Sequence, residues 1–328
     1  MEATLVQRAG IRFESIPAAG LHGVGLRALP GNLIQLAAGI PAARRILQRF
    51  QPDALFFTGG YVGVPVAIAG RTRPQVVFVP DVEPGLALRL ISRFADLITV
   101  STEAAKEFYA DDKNVLVTGY PTRPSMQPIS KPEARDQLGL DRDIPVVLVF
   151  GGSRGARSIN EALWGSLARL LEHCQVLHIT GELDWPRVPG VGGSLPEKSA
   201  ARYRPEPYLH EDMALALSAA DLVVSRAGAA TMGEFPRFGL PAILVPYPHA
   251  WRYQRMNAEY LEEAGGAITL PDEKLHASLV DRVLELLRDE ARLESMRSAM
   301  GSLDQPGAAE RLAEAILALV SSRSARNG

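Results

Sequence analysis

The feature of this sequence that most constrains its fold is the alternation of short, apolar runs with longer segments of helical period. Runs such as VVLVF at 146–150 are more apolar than strands that expose one face to water. Strands of this kind are typical of parallel sheets covered by helices on both faces. The chain is therefore predicted to be an α/β protein. The predicted strands are 54–58, 76–80, 97–100, 115–118, 146–150, 176–179, 222–225 and 242–245.

Helical patterns separate these strands. The clearest predicts one helix over residues 156–171, whose apolar side chains recur every three or four residues, at Ile159, Leu163, Leu167 and Leu170. From residue 273 onward the pattern predicts helices only. The chain then ends in a polar tail, residues 321–328, which is predicted to be disordered.

The length of 328 residues suits two domains better than a single core. Prolines crowd residues 121–132, ahead of the strong strand at 146–150, and favour a boundary in that region. The predicted organisation is a first domain at 1–125, a linker at 126–144, a second domain at 145–302, and a C-terminal helix with the disordered tail at 303–328.

Composition excludes several classes of function. A net charge of −2 predicts no nucleic-acid partner, because proteins that bind nucleic acids are strongly basic. A single cysteine, Cys174, excludes a disulfide framework and suits a reducing cytoplasm. The longest apolar stretch, residues 29–40, is too short to cross a bilayer. It could lie on a membrane surface, although a buried amphipathic helix is the simpler interpretation.

Three predicted strands end in glycine-rich turns that lead into helices, at residues 58–61, 151–155 and 226–231. Such a turn can present helix amides and a positive helix dipole to an anion. The candidate phosphate-loop glycines are Gly59, Gly60, Gly151, Gly152 and Gly155. None of the turns has a P-loop or complete dinucleotide pattern, so glycine needed only for tight turning is an equal alternative. Two turns share the second domain, at the strand ends where open α/β sheets bind ligands.

Glu234 lies six residues after Gly228, inside the helix that follows the third turn. A carboxylate there can accept hydrogen bonds from two neighbouring hydroxyls, as a ribose presents them. A solvated helix glutamate is the open alternative. The nearest approach to a metal-ligand pattern is His173, Cys174 and His178, which span a helix end and a strand. No metal site and no cofactor is therefore predicted.

Several longer motifs together resemble one family, the MurG-type UDP-N-acetylglucosamine transferases of peptidoglycan synthesis. In the second half they are GGSRGARSIN (151–160), SRAGAATMGE (225–234), GLPAILVPYPHA (239–250) and RYQRMNA (252–258). In the first half they are GLHGVG (20–25), FTGGYVG (57–63) and VTGYPTR (117–123). The resemblance covers nearly the whole chain. It implies the GT-B architecture, in which two Rossmann-like doubly wound domains face a cleft.

The resemblance also implies donor-binding roles at the matching positions. Ser153 corresponds to the residue that touches the donor diphosphate, and Glu234 to the carboxylate that binds the ribose. Gln254 matches one of two adjacent glutamines near the donor sugar, whereas the other position is Tyr253. The remaining matches are Arg123 at the interdomain linker, His210 where backbone groups read the uracil, and Ala229, Ala230 and Thr231 around the nucleotide.

The first domain departs from the family pattern. The family begins with a strand, a Gly-Gly-Thr-Gly-Gly-His loop and a helix, and the loop histidine is its usual candidate for general base. This chain lacks that loop, so its first domain is expected to be N-terminally truncated. Residues 79–82 replace a His-Glu-Gln-Asn segment, and Tyr120 replaces an asparagine. The catalytic residue is therefore unknown, and the nearest candidate carboxylates are Asp81 and Glu83.

The resemblance implies an inverting, metal-independent transfer of N-acetylglucosamine from UDP-N-acetylglucosamine to the undecaprenyl-linked muramoyl-pentapeptide. The expected partners are this donor, the acceptor lipid and the membrane surface, with the protein peripheral on the cytoplasmic face. The candidate surface for this membrane contact is residues 21–40, whose apolar residues are flanked by Arg27 and Arg44. The altered residues 79–82 leave open a related glycosyltransferase with another lipid acceptor. The missing glycine-histidine loop leaves open a UDP-sugar-binding protein without catalysis.

Overall fold

We describe the protein from a computed structural model, which covers residues 3, 6–7, 10–20, 29–152, 155–193, 195–209, 212–248 and 252–327. These residues form two parallel sheets, one in each half of the chain. Both sheets are flanked by helices, so the predicted α/β class is confirmed. None of the helices in this part of the chain is both long and apolar enough to cross a membrane.

The first sheet has four parallel strands in the order β1-β2-β3-β4. Each was predicted from its apolar run, and each bound lies within one residue of the prediction. The strands are β1 (Leu55–Phe57), β2 (Gln75–Val79), β3 (Leu97–Val100) and β4 (Val115–Val117). The helices around them are α1 (Leu29–Phe50), α2 (Gly63–Ala69) and α3 (Leu86–Ile91), with a 3₁₀ turn at Glu103–Phe108.

Strand β1 is an edge of the first sheet, since it pairs only with β2 within the described residues. Its side chains alternate: Phe57 is buried in the core, whereas Phe56 is 43% exposed. The central strand β2 is buried along its whole length. The predicted truncation of this domain stays a prediction.

The second sheet has six parallel strands in the order β10-β9-β8-β5-β6-β7. The strands are β5 (Val146–Phe150), β6 (Gln175–Ile179), β7 (Tyr203–Glu206), β8 (Leu222–Ser225), β9 (Ala242–Leu244) and β10 (Ala267–Thr269). Four of them were predicted, and the two outermost, β7 and β10, were not. Edge strands need a partner on one side only, so they tolerate polar residues and proline such as Pro205.

The second sheet is covered by helices on both faces. They are α4 (Lys131–Gln137), α5 (Arg157–Trp164), α6 (Leu167–Leu171), α7 (Val188–Gly192), α8 (Glu197–Ala200), α9 (Met213–Ala219), α10 (Thr231–Phe238), α11 (Tyr253–Glu263), α12 (Leu275–Arg288) and α13 (Glu290–Gly301), and the chain then continues into a last helix, α14 (Ala308–Asn327). Short 3₁₀ turns occupy Trp185–Arg187 and Asp272–Lys274.

The prediction of one helix over 156–171 is wrong in detail, because the segment is two helices, α5 and α6. Gly165 ends α5, where its amide donates to the carbonyl of Glu161. Glycine weakens a helix at this point, and the chain restarts at Leu167. Both helices still bury their apolar faces against the sheet, as the spacing predicts.

Alternate residues of β5 connect the sheet to its two helical layers. Val147 and Val149 face the core formed with α5, α6 and α12, whereas Leu148 faces the core that contains Leu217 of α9 and Phe235 of α10. This alternation explains why the strand is apolar at every position. It also fixes the carboxyl end of β5, where the glycine loop begins.

Helix α4 lies inside the predicted linker but packs on the second domain. Its Arg135 is buried and pairs with Asp221 at 2.5 Å, just before β8. The same guanidinium donates to the carbonyl of Ala219 at 3.1 Å.

The last helix, α14, returns to the first domain. Arg311 donates to the carbonyl of Thr118 at 2.7 Å, and Arg323 donates to that of Thr72 at 3.0 Å. Arg323 also reaches the carboxylate of Asp96 at 3.5 Å. The prediction of a disordered tail is therefore wrong for residues 321–327, which continue the helix. The contacts of Arg323 with the first domain are the physical reason.

Candidate functional site

The loop after β5 requires its glycines for its own geometry. Gly152 and Gly155 have φ angles of +88° and +76°, which side chains rarely adopt. A Cβ atom at Gly155 would lie 2.3 Å from the carbonyl oxygen of Thr180, and one at Gly151 would lie 2.2 Å from Cβ of Ala156. Tight turning and close packing thus explain these residues without a ligand. Ser153, predicted to contact the diphosphate, lies outside the described residues.

The loop after β8 is different. Gly228 does not adopt a positive φ, and a Cβ atom built on it would meet no atom within 4 Å. The packing of the protein therefore does not explain a glycine at this position, and the space beside Gly228 is open to a ligand. Thr231 is buried and donates its hydroxyl to the carbonyl of Gly228 at 2.7 Å, so it holds the turn. Ala229 and Ala230 are partly buried between them.

Glu234 lies in the first turn of α10 and is only partly exposed. Burial raises the pKa of its carboxyl group, and the nearby positive charge of Arg123 opposes that rise. These surroundings argue against the alternative of a solvated helix glutamate. Arg123 itself is exposed, and its guanidinium lies 3.7 Å from the sulfur of Met126.

Four ionisable side chains meet where the two domains adjoin, and we call them the junction cluster: Asp81, Tyr120, Arg123 and Glu234. Burial raises the pKa of Tyr120 to about 12, and the negative charges of Glu234 and Asp81 add to the effect. Burial also raises the pKa of Asp81. The ring of Tyr120 packs against Gly233, because a Cβ atom there would lie 2.6 Å from it. The sequence identified these residues separately, and the structure brings them together.

Asn257 links the two domains beside this cluster, a role that sequence reasoning missed although the residue lies in a quoted motif. Its amide nitrogen donates to Asp81 at 2.8 Å and to the carbonyl of Ala227 at 3.1 Å. Its oxygen accepts the backbone amide of Val82 at 3.0 Å. The side chain is fully buried, so these bonds form away from water.

Glu83, the second candidate base, is committed to ion pairs. Its carboxylate is 2.7 Å from Arg89 of the first domain and 3.0 Å from Arg252 of the second. The side chain is buried between them. Both oxygens of the Glu83 carboxylate accept hydrogen bonds from these guanidinium groups, so the contacts favour an interdomain link over a catalytic role.

Two further predicted positions have different outcomes. The side-chain oxygen of Gln254 accepts the backbone amide of Tyr247 at 2.8 Å and so holds the loop that follows β9. His210 lies outside the described residues. In the first domain, Gly59 and Gly60 follow β1 with φ angles of +134° and +79°, so their turn also requires glycine.

Residues 151–155 also fit the Gly-x-Ser-x-Gly pattern of a hydrolase nucleophile elbow, which needs a histidine base nearby. His178 on the neighbouring strand β6 is fully buried, and burial lowers its pKa to about 3. Its two ring nitrogens lie 2.9 Å from the hydroxyl of Tyr203 and 3.0 Å from the side-chain oxygen of Asn160. Because both nitrogens are engaged, His178 does not serve as that base.

Among the described residues, no three His, Cys, Asp or Glu side chains lie close enough to hold a metal ion. The thiol of Cys174 is buried against the carbonyl of Leu170, and burial raises its pKa to about 12. The predicted absence of a metal stays a prediction.

Models of two family domains match the chain. The glycosyltransferase family 28 C-terminal domain matches residues 146–316, and the glycosyltransferase family 28 N-terminal domain matches residues 1–100. Together they cover both sheets.

Two similar proteins are named UDP-N-acetylglucosamine--N-acetylmuramyl-(pentapeptide) pyrophosphoryl-undecaprenol N-acetylglucosamine transferase. One, from Roseiflexus sp. (strain RS-1), is 37% identical over 98% of this chain and 82% of its own length. The other, from Chlorobaculum tepidum, is 38% identical over 97% of this chain and 88% of its own length.

Solved structures share the fold. MurG from Acinetobacter baumannii superposes with a TM-score of 0.75 at 24% identity, covering 97% of this chain and 88% of that one. A UDP-GlcNAc 2-epimerase from Neisseria meningitidis, bound to UDP-GlcNAc, superposes with a TM-score of 0.65 at 14% identity, covering 96% and 88%. At these identities the likeness concerns the fold alone. Both structures agree with the predicted GT-B arrangement of two parallel-sheet domains.

Proposed function

The chain belongs to glycosyltransferase family 28, and from this premise we propose that it transfers N-acetylglucosamine from UDP-N-acetylglucosamine to the undecaprenyl-linked muramoyl-pentapeptide of peptidoglycan synthesis. The observation that carries the proposal is the pairing of Glu234 with the open loop at Gly228. A partly buried carboxylate beside a loop that a ligand can approach closely suits a ribose and its diphosphate. The donor and the acceptor in this proposal are those in the names of relatives at 37–38% identity.

The proposed reaction is an inverting displacement. An acceptor hydroxyl oxygen forms a bond to the anomeric carbon while the bond from that carbon to the diphosphate oxygen breaks. The electron pair leaves with UDP, and the hydroxyl proton passes to a base. The positive dipole ends of α5 and α10 oppose the charge that grows on the diphosphate. Closure of the two domains over the donor would exclude water and limit hydrolysis.

We propose that this reaction needs no metal ion. The chain has one Asp-x-Asp sequence, Asp141-Arg142-Asp143, which could suggest metal-dependent transfer. These residues precede β5, at the edge of the sheet opposite to the glycine loops. Their carboxylates therefore face away from the proposed donor, and helix amides take the place of a cation.

Of the two candidate bases, the contacts favour Asp81. Its pKa is raised by burial, which strengthens it as a proton acceptor, and Asn257 fixes its orientation. It belongs to the junction cluster, on the opposite side of the domain junction from Glu234. Glu83 is excluded from this proposal by its two ion pairs.

We also propose that the protein works at the inner face of the cell membrane, where a lipid acceptor would lie. Helix α1 exposes Leu33 (54%) and Ile34 (69%), and about three turns further along the helix it exposes Arg44 and Arg45. An apolar patch with cations suits an anionic lipid surface. Replacing Leu33 and Ile34 by serine should reduce co-sedimentation with anionic phospholipid vesicles, and unchanged binding would contradict this surface. Residues 21–28 of the predicted surface lie outside the described residues.

Donor binding tests the site. Calorimetric titration with UDP-N-acetylglucosamine should give affinity that falls about tenfold to a hundredfold in Glu234→Ala, because a hydrogen bond to a charged group contributes about 1.5–3 kcal/mol. Ser153→Ala should weaken binding as well. Glu133→Ala on the exposed side of α4 is the control and should bind as the unaltered protein does. Unchanged affinity in Glu234→Ala would overturn the site assignment.

A second candidate function is transfer to another lipid, which the replacement of the His-Glu-Gln-Asn segment by residues 79–82 and the presence of Tyr120 favour. Vesicles that contain both diacylglycerol and the muramoyl-pentapeptide lipid distinguish the two. Glycosylation of diacylglycerol alone would support the second candidate. The third possibility, UDP-sugar binding without catalysis, predicts donor binding with neither lipid modified.

A further inference from the structure

Arg226 is the residue directly after β8, and its side chain is only 11% exposed. A guanidinium group buried to this degree must have its charge and its donors satisfied by the protein or a ligand. Arg226 was not among the residues that the family resemblance assigned to the donor.

The partners of Arg226 come from three other segments of the second domain. Nη1 lies 2.5 Å from the carboxylate of Asp272, in the turn after β10, and donates to the carbonyl of Val245 after β9 at 3.2 Å. Nη2 donates to the hydroxyl of Ser158 on α5 at 2.7 Å. The guanidinium also lies over the ring of Tyr247, 5.2 Å from its centre.

Ser158 and Asp272 complete the arrangement, since the hydroxyl of Ser158 donates to the carboxylate of Asp272 at 2.8 Å. Arg226, Ser158 and Asp272 therefore form a closed triangle of hydrogen bonds, which we call the rim triangle. Its members are 46 to 114 residues apart in the sequence. It lies at the carboxyl ends of the strands, on the same edge as the glycine loops.

Three of the four segments that meet at Arg226, those of Ser158, Arg226 itself and Val245, adjoin loops assigned to the donor. Ser158 is in the first turn of α5, which follows the loop at 151–155. Arg226 stands two residues before Gly228. Val245 precedes the loop that Gln254 holds through the amide of Tyr247. One buried group thus fixes the mutual positions of the proposed diphosphate, ribose and sugar loops.

We infer that Arg226 is a positioning residue for UDP-sugar binding, acting through Ser158 and Asp272 to hold these loops in the arrangement that the donor requires. The inference rests on the proposed function. Loops ordered before binding lose less conformational freedom when the ligand arrives, so affinity increases without any contact between Arg226 and the ligand.

The test is donor affinity in Arg226→Lys. Lysine keeps the charge and can pair with Asp272, but a single ammonium group cannot also reach Ser158 and Val245 in the geometry of a guanidinium fork. Titration with UDP-N-acetylglucosamine should show affinity about tenfold to a hundredfold weaker, since small misplacements in a site have effects of that size. The KM of the donor should rise while that of the acceptor lipid stays unchanged.

The matched control is Arg237→Lys. Arg237 is also partly buried and also paired, with Asp304 at 3.2 Å and Gln127 at 2.6 Å, but it joins no donor loop. The Arg237→Lys variant should lower the midpoint temperature of thermal unfolding without changing donor affinity. If Arg226→Lys behaves in the same way, with lower stability and unchanged donor affinity, Arg226 is merely structural and the inference is wrong.

Ser158→Ala and Asp272→Asn provide variants that keep Arg226. Each should weaken donor binding, and the double variant should weaken it by less than the product of the two single effects, because both break one triangle. Unchanged affinity in both single variants would also overturn the inference. Failure of the unaltered protein to bind UDP-N-acetylglucosamine would instead overturn the proposed function.

Discussion

At the scale of single residues, the chemistry of the site depends on charged groups that burial has shifted from their ordinary behaviour. Glu234 is the central case, because its pKa is raised by burial and held back by Arg123. A carboxyl group with a raised pKa binds its proton at a pH where an exposed glutamate is ionised. The fold is therefore less stable as pH rises through the shifted pKa, where the folded state must give up that proton.

This shift predicts the pH dependence of donor binding. Only the ionised carboxylate accepts hydrogen bonds from two hydroxyls, so affinity should fall as pH drops through a midpoint above 4.5, the ordinary value for glutamate. Titration with UDP-N-acetylglucosamine across the acidic range measures this midpoint. Replacing Arg123 by glutamine should move it to higher pH, because the positive charge that lowers the pKa is lost. A midpoint that does not move would contradict the pairing of the two residues.

At the scale of elements, the apolar runs predicted eight of the ten strands in the described residues, because each of the eight packs on neighbours that require apolar side chains. The edge strands β7 and β10 were not predicted, because their sequences, Tyr-Arg-Pro-Glu and Ala-Ile-Thr, are not continuous apolar runs. The break between α5 and α6 was not predicted, because the helical spacing of apolar residues continues across it. The rim triangle could not be predicted, because β5 and β8 are neighbours only through a crossover of the sheet.

The glycine loops allow a paired prediction at this scale. Gly155→Ala should lower the free energy of unfolding by about 1–3 kcal/mol, since it forces a side chain into a positive φ and against Thr180. Gly228→Ala should change stability by less than about 0.5 kcal/mol, because a Cβ atom meets nothing there, yet it should weaken donor binding. Denaturant unfolding and calorimetry measure the two effects. Equal donor affinity in Gly228→Ala would mean that no ligand approaches this loop.

At the scale of the whole molecule, the two domains are joined by polar contacts, by helix α14, and by apolar packing of Val82 and Phe108 on the core of the second domain. Asn257 connects residues 81–82 to the loop after β8, and Glu83 connects Arg89 to Arg252. Helix α14 contacts the first domain near both of its ends, through Arg311 and Arg323. These contacts hold the junction cluster together, so the proposed base and the proposed ribose ligand depend on how the domains meet.

Asn257→Ala tests this connection. It leaves the amide of Val82 and the carbonyl of Ala227 without their buried partner, which should lower the free energy of unfolding by about 2 kcal/mol. Asn114→Ala is the control, because its exposed side chain makes one long bond within the first domain, 3.5 Å to the carbonyl of Asp96. Equal stability of the two variants would show that the domains are held by other contacts.

The most direct measurement of the central claim is transfer itself. The purified chain is incubated with UDP-N-acetylglucosamine and the muramoyl-pentapeptide undecaprenyl lipid, and the lipid is followed by mass spectrometry. We predict that each lipid gains one N-acetylglucosamine as one UDP is released, and that Glu234→Ala reduces the rate at low donor concentration. A lipid that stays unmodified while the protein binds its donor would contradict the proposed transferase.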